Sequence, residues 1–336
     1  MGRGHLAGIL LAFGACSGTP DGASVAMPDA GPGIGFDDLQ YSPSLHRVLV
    51  PGGRSGRLDL VDPDSRAVDS VSGFAVTPGY SGGHDDGATA VGEGRGLLFV
   101  TDRTTRTLSV VDPASHTIVA STALGASPDY VRYVAATDEL WVTEPSASRI
   151  EIFALAPRSP FTPSAVATIP VTNGPESLVI DQSHGRAYTH HWQSSTVVID
   201  VKTRATLAEW PSGCAASRGL AIDEARQHFL VACSEGTVAV LDAANGGRRL
   251  SSLAKGAGFD VIGYSPRLHH VYAAGSACGC LVMLGVSAAG ELSLLGRSSA
   301  DASTHCVVAD DVGHAWVCDP DHGRLWRVDD AYGASE

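Results

Sequence analysis

The sequence is short of positive charge. Lys and Arg number 23 against 36 Asp and Glu over 336 residues, a formal net charge of −13. A general nucleic-acid binder needs clustered cations to neutralise phosphates, so nucleic acid is excluded as a partner. No apolar run approaches the roughly 20 residues that a membrane-spanning helix requires, so any membrane attachment implied here is through a lipid anchor. Aromatic residues are scarce at 6%. Catalytic signatures are missing too: there is no P-loop, dinucleotide fingerprint, nucleophile elbow, HExxH or EF-hand spacing. No reaction can be named from a motif.

What the sequence does hold is turn formers, 39 Gly and 18 Pro, distributed among short apolar runs. Composition is otherwise ordinary for a globular protein, 44% hydrophobic and 18% charged. At the N-terminus, Arg3 precedes an apolar run from Leu6 to Ala15 of export-signal length. Gly14 and Ala15 stand before Cys16, and the run resembles a bacterial lipoprotein signal in which Cys16 carries the lipid. That reading assigns 1–15 to the signal. It assigns 16–33, rich in Gly, Ala, Pro and Ser, to a flexible tether that also holds a spare strand. The protein is then extracytoplasmic, either lipid-anchored to the bacterial membrane or secreted.

The dominant feature is internal repetition. Residues 96–125 hold three short β patterns separated by turns, and Phe99 begins their clearest segment, FVTDRTTRTLSVVD. Matching segments begin at Leu49, Trp141 (WVTEPSASRIEIF), Tyr188, Leu230, Tyr272 and Trp316, 42 to 50 residues apart. Each has an apolar start, a polar turn and an alternating strand that usually closes on Asp. A further apolar run precedes each, and another follows most. Seven copies of four short antiparallel strands is the period of β-propeller blades. The expected fold is therefore all-β: a seven-bladed β-propeller of four-stranded antiparallel blades over 34–330, with 331–336 as a tail. The last copy stops after its third strand, so an N-terminal strand around Ser24 to Met27 is expected to complete it and close the ring.

Phe99-Val100-Thr101-Asp102 followed by Leu108-Ser109-Val110-Val111-Asp112 resembles the YVTN-type propeller repeat, with Trp141 to Glu144 the next best match. The resemblance covers essentially 34–330 and implies the fold. It leaves function open, because such propellers serve as scaffolds, binding proteins and enzymes.

In a propeller blade the first strand runs along the axis and the second returns, so blade-entry loops and second-to-third-strand loops share one face, here the top. All six cysteines after Cys16 fall there. The register places Cys306 opposite Cys318 and Cys214 opposite Cys233, two pairs suited to disulfides. Cys278 and Cys280 then form a Cys-Gly-Cys bridge or remain a thiol pair.

The residue just before each first strand is, in blade order, Asp37, Gly87, Asp129, Glu176, Arg218, Asp260 and Thr304. These positions are expected to crowd round the mouth of the central channel, flanked by Asp38, His84, Asp85, Asp86 and His305. Converging carboxylates need a compensating cation. Asp129, Glu176 and Asp260 therefore become candidate ligands for Ca²⁺ or Mg²⁺, with Arg218 pairing to Glu176 as the metal-free alternative. His46, His184, His228, His269, His270 and His314 are expected in solvated bottom-face turns. His190, His191 and His322 are expected in top loops, with Trp192 beside them. The regular second blade is expected to be structural, its departures in other blades carrying the site.

Two functions follow. The first is a monomeric cell-envelope binding or scaffold protein. It would use Asp37, Asp86, Asp129, Glu176, Arg218, Asp260 and His305 to hold an envelope protein or a small-molecule ligand. The second, implied by the family resemblance, is a divalent-metal-dependent lactonase- or lyase-type enzyme at the same mouth, with Glu176, His84 and His305 as candidate catalytic groups.

Overall fold

The computed structural model describes residues 22–336. The export signal and Cys16 lie outside the described residues. The described residues build seven four-stranded antiparallel sheets. After β1 (Ala23–Ala26), blade 1 comprises β2 (Gln40–Ser42), β3 (Arg47–Pro51), β4 (Ser55–Val61) and β5 (Val68–Val76). Blade 2 comprises β6 (Ala88–Gly94), β7 (Leu97–Asp102), β8 (Thr107–Asp112) and β9 (Thr117–Ala123). Blade 3 comprises β10 (Val131–Val134), β11 (Glu139–Glu144), β12 (Arg149–Leu155) and β13 (Pro163–Pro170). Blade 4 comprises β14 (Glu176–Asp181), β15 (Arg186–His190), β16 (Ser195–Asp200) and β17 (Thr206–Pro211). Blade 5 comprises β18 (Ser217–Asp223), β19 (His228–Cys233), β20 (Thr237–Asp242) and β21 (Arg248–Ala254). Blade 6 comprises β22 (Phe259–Ser265), β23 (His270–Gly275), β24 (Cys280–Val286) and β25 (Leu292–Ser299). Blade 7 comprises β26 (Val307–Ala309), β27 (His314–Asp319) and β28 (Arg324–Asp329), completed by β1 on its outer edge.

Burial follows position within the blade. The second strands β7, β11, β19 and β23 are buried at every residue, because each is covered by a neighbouring blade on both faces. The outer strands alternate with solvent. Core clusters lie between blades, not within one. Trp141, Ile150 and Ile152 of blade 3 pack on Leu178, Ala187 and Ile199 of blade 4. Trp316 and Leu325 of blade 7 pack on Phe36, Val48 and Val61. Each large apolar side chain buried this way contributes roughly 1.5–3 kcal/mol. The buried indoles are also satisfied: Trp141 Nε1 donates to Glu139 at 3.1 Å and Trp316 Nε1 to Asp310 at 2.9 Å.

The Asp that ends most third strands is a turn device. Asp200 Oδ1 accepts from the backbone N–H groups of Lys202 (3.1 Å) and Thr203 (2.8 Å), and Asp62 does the same for Asp64 and Ser65. A carboxylate that caps the next two amides fixes the bottom-face turn into the fourth strand.

Ring closure is as the missing strand required. β1 pairs antiparallel with β28, Ala23 opposite Arg327 and Ala26 opposite Arg324. Val25 and Met27 enter the core, and Ile34 N–H donates to Pro320 O at 2.9 Å. Arg54 fastens the link, donating to Gly33 O at 2.7 Å and Ala30 O at 2.6 Å. The described part of the 16–33 segment, residues 22–33, is thus a docked strand and its connection and not free tether. The C-terminal tail folds back on blade 6, with Ser335 N–H donating to Leu268 O at 2.9 Å.

Three bottom-face histidines differ from expectation, one of them His314, which begins β27 with its side chain 16% exposed and bonded to Asp310 at 2.7 Å. His228 and His270 begin second strands and face the interior, so both are buried. His270 Nδ1 meets Asp330 at 2.7 Å. His46, His184 and His269 sit at turns as expected.

Candidate functional site

The seven first strands surround a channel that a buried ion pair divides in two. Asp37 and Asp38 are neighbours in extended backbone, where successive side chains alternate in direction. Asp37 faces the top mouth and Asp38 the channel below. The Asp38 carboxylate takes both arms of Arg132, at 2.5 and 2.8 Å, and that guanidinium lies 5.4 Å from the centre of the Tyr130 ring. Below this pair lies a channel of about 450 Å³ walled by residues such as Leu39, Val179, Ile222 and Val308. Above it lies a mouth cavity of about 280 Å³.

The mouth is lined by Asp37, His84, Asp85, Arg103, Asp129, Tyr130, Glu176, Trp192, Arg218 and Asp260, together with loop residues. The structure therefore brings together five of the expected blade-entry positions. It leaves out others. Gly87 is a packing residue: at φ +69° its Cα faces the Gly53 carbonyl so closely that a Cβ would lie 2.0 Å from that oxygen. Thr304 is buried and donates to Cys318 O at 2.9 Å. Asp86 is exposed and outside the lining, because the loop turns its neighbour Asp85 to the rim instead.

Arg103 organises the site, and sequence reasoning missed it. It follows β7 in the regular second blade, the one expected to be only structural. Its guanidinium donates to Asp37 at 2.8 Å, to Asp129, to Pro128 O at 2.9 Å and to His84 O at 2.8 Å. Its side chain is 8% exposed. The available signal was an Arg in the second-to-third-strand turn, directly after FVTD, on the same face as the carboxylates.

His84 Nδ1 sits 3.2 Å from Asp37 and 2.5 Å from the Arg103 guanidinium. Toward Asp37 it donates; toward Arg103 it can only accept. The Asp37 charge prevails, raising His84 to about 9 against its burial and the Arg103 charge. Burial pushes Asp37 upward, but His84 and Arg103 outweigh it and hold the carboxyl at about 2. His305 stacks on His84, ring centroids 5.3 Å apart. Its own nitrogens face carbonyls, Nδ1 to Ser303 O at 2.8 Å and Nε2 to Phe36 O at 2.9 Å. His305 therefore supports His84 and has no nitrogen free for a ligand.

The other carboxylates lack this compensation. Burial raises Asp129 to about 7 despite Arg103, and raises Asp260 despite His305. Glu176 is 6% exposed, and no side chain or backbone group among the described residues bonds its carboxyl. Burial, then Asp129 and Asp260, lift it well above the ordinary range. A local kink aims it: Ser177 follows at φ +59°, left-handed for a non-glycine, where the β14–β15 register shifts. Thr189 Oγ1 holds that kink through Ser177 O at 2.7 Å. A kink of this kind costs of order 1–3 kcal/mol and is retained only where the surroundings enforce it.

Arg218 does not pair with Glu176. It lies over the Trp192 ring at 5.1 Å and donates to Trp192 O at 3.3 Å. Trp192 is 41% exposed at the rim. His190, expected in a top loop, is the buried last residue of β15, bonded to Thr196 Oγ1 at 3.0 Å, and its burial lowers it to about 3. His191 lies at Thr172 O and His322 at Asp319, 2.8 Å away.

Among the described residues, three groups bring three His, Cys, Asp or Glu donor atoms within 4.8 Å of one another, and none contains Asp129, Glu176 or Asp260. Two of them include disulfide sulfurs. The third is Asp301, Asp319 and His322, where Asp319 is already bonded by Arg324 at 2.6 Å. The three mouth carboxylates, one held by Arg103, thus do not form a compact Ca²⁺ or Mg²⁺ cage. The cysteines pair as Cys214–Cys233, Cys278–Cys280 and Cys306–Cys318, Cα separations 5.3, 5.2 and 5.5 Å, all on the top of the last three blades. Disulfides fit an oxidising compartment.

No protein-family model matches the chain, and no curated protein sequence matches it. Solved structures do. Kuenenia stuttgartiensis hydrazine synthase matches at 12% identity and TM-score 0.71, over 89% of this chain and 96% of that one. A chain of a mitotic checkpoint complex matches at 15% and 0.73, over 98% and 100%. The β-propeller domain of Myceliophteria thermophila Cps50 (Swd1) matches at 10% and 0.72, over 91% and 99%. At such identities these likenesses carry the fold alone: the chain is a seven-bladed β-propeller.

Proposed function

We propose that the protein is an extracytoplasmic, YVTN-type propeller that binds a small ligand at its top-face mouth, held at the cell envelope through Cys16. Propellers commonly serve as binding or scaffold proteins, and the lipoprotein-like N-terminus and the three disulfides support the address. One observation carries the site. The cavity combines a compensated cluster, Asp37, Arg103 and His84, with a buried Glu176 that has no partner. Unpaired buried carboxyl groups are costly unless something meets them. About 280 Å³ lies just under the usual 300–1,000 Å³ range of small-molecule pockets, which suits a compact ligand better than a peptide.

The lactonase- or lyase-type alternative is favoured by one feature, the Asp37–His84 pair, in which a carboxylate orients an imidazole whose Nε2 has no partner among the described residues. Held protonated by Asp37, His84 is suited to donate a proton, not to accept one. Thermal-shift and calorimetric screening of purified protein with a panel of small cations, anions and neutral polar compounds tests the binding reading. The reading predicts saturable binding by one class, abolished by Arg218→Ala together with Trp192→Ala. A panel without a hit would overturn it. Turnover of lactones lost in His84→Ala would replace it with the enzymatic reading.

A further inference from the structure

We infer that the mouth recognises a primary ammonium group, seated on the Glu176 carboxylate in the cavity that Trp192 also lines. This rests on the binding reading above and specifies its ligand. A buried carboxyl that makes no bond inside the protein, aimed into a cavity by a left-handed kink at Ser177, is a hydrogen-bond acceptor held open. Asp129 and Asp260 line the same cavity and act on Glu176 as like charges, which adds oxygen acceptors to the seat. An alkylammonium carries three N–H donors and needs no compact cage of ligands, which separates it from a divalent ion. A neutral ligand can hydrogen-bond the carboxyl but does not favour its ionised form, and an anion adds to the like charge around it.

Trp192 supplies the second element. One part of its ring is covered by Arg218, yet the residue keeps 41% of its surface at the rim. An indole face beside an acidic seat attracts a cation and packs the carbon chain that bears it. The charges facing Glu176 also agree. Asp37 and Asp129 are engaged by Arg103, and Asp37 also by His84. Arg218 is turned to Trp192, His305 lies behind His84, and Asp85 lies at the open rim. Five acids line the mouth against Arg103, Arg218 and the His84 imidazolium, so ionising the seat leaves negative charge that a bound ammonium offsets. Burial and the neighbouring acids raise the Glu176 carboxyl, and an incoming ammonium favours its ionised form, so binding is accompanied by proton release.

The experiment is isothermal calorimetry of the full chain with n-butylammonium, its neutral isostere n-pentane, or n-butanol as a soluble substitute, tetramethylammonium, Ca²⁺ and butyrate. Each is run in buffers of differing ionisation enthalpy. The expected result is binding of n-butylammonium with net proton release. Affinity should fall at least tenfold in Glu176→Gln, an isosteric change whose folding is checked by its melting temperature. Trp192→Phe should retain affinity that Trp192→Ala loses. Equal binding of n-butylammonium to Glu176→Gln, or equal binding of n-butanol, would overturn the inference. Equal binding of tetramethylammonium, which has no N–H, would overturn the hydrogen-bonded seat. Binding of Ca²⁺ or butyrate alone would refute the ammonium assignment while leaving the mouth a binding site. Silence from the whole panel would remove both.

Discussion

At the scale of single residues the mouth is an exercise in compensation, and Arg103 is its keystone. Its guanidinium holds two buried carboxylates, Asp37 and Asp129, together. Removing one partner from a buried ion pair leaves an uncompensated charge and costs about 3–5 kcal/mol. Arg103→Ala should therefore lower the denaturation free energy by that amount. Arg103→Ala combined with Asp129→Asn should recover part of it, which denaturant titration of the three proteins would reveal. The same cluster sets a pH profile. Asp37, depressed from 3.8 to about 2, contributes stability above about pH 4 that is lost as pH falls toward 2. His84, raised from 6.5 to about 9, contributes stability below pH 6.5 that is lost as pH rises through 9. Asp129, raised to about 7, adds an earlier loss as pH rises from about 4 through 7. Melting temperature should thus decline from about pH 5 to 9. Asp129→Asn should remove the lower part of that decline and His84→Gln the upper part, and a flat profile in the unsubstituted protein would refute the assignment.

At the scale of elements, the sequence was most readable where hydrogen bonding and burial are local. The second-strand segments at Phe99, Trp141 and Tyr272 announced themselves as apolar runs because both faces of those strands are covered. The closing Asp of the third strands announced a turn because its carboxylate satisfies amides two and three residues on. Asp200→Ala, which removes two such bonds, should cost about 1–2 kcal/mol with little effect on the mouth, as measured by denaturation beside ligand binding. The mouth was half readable for a geometric reason. Counting back from the first strands finds Asp37, Asp129, Glu176, Arg218 and Asp260, since each blade repeats that position. Arg103 enters from a different loop type, and Asp38 and Arg132 meet from blades 1 and 3, 94 residues apart. Such pairings depend on side-chain direction across the axis, which no repeat spacing encodes. The histidines show the same limit. His269, a half-buried turn residue, is followed directly by the fully buried His270 at the start of β23, a change of environment in one step that composition does not mark.

At the scale of the whole molecule, the ring is held by a few joins between distant parts of the chain. The seven blades are similar neighbours stacked in sequence, so six interfaces form between consecutive blades and one must join the last blade to the first. That seventh interface is where Phe36 and Val48 meet Trp316 and Leu325, and β1 spans it by pairing with β28. Val25 and Met27 bring β1's share of the core, roughly 1.5–3 kcal/mol each. Of the three disulfides, carried by blades 5 to 7, Cys306–Cys318 lies in blade 7 at this seam. Loops of 19 and 12 residues closed by Cys214–Cys233 and Cys306–Cys318 each limit the unfolded chain by about 3 kcal/mol in the entropic model. The Cys306–Cys318 disulfide and the closing strand thus restrain the same blade, the one that meets blade 1 at the seam. Their effects should therefore couple. Val25→Asp with Met27→Asp should destabilise by about 3–6 kcal/mol under oxidising conditions and give a lower, broader thermal transition. Adding Cys306→Ala with Cys318→Ala should cost more than the sum of the separate losses, because a frayed blade 7 then lacks both of its restraints. Strict additivity in denaturant titrations, as found for sites that do not communicate, would show that the seam and the disulfides stabilise the ring independently.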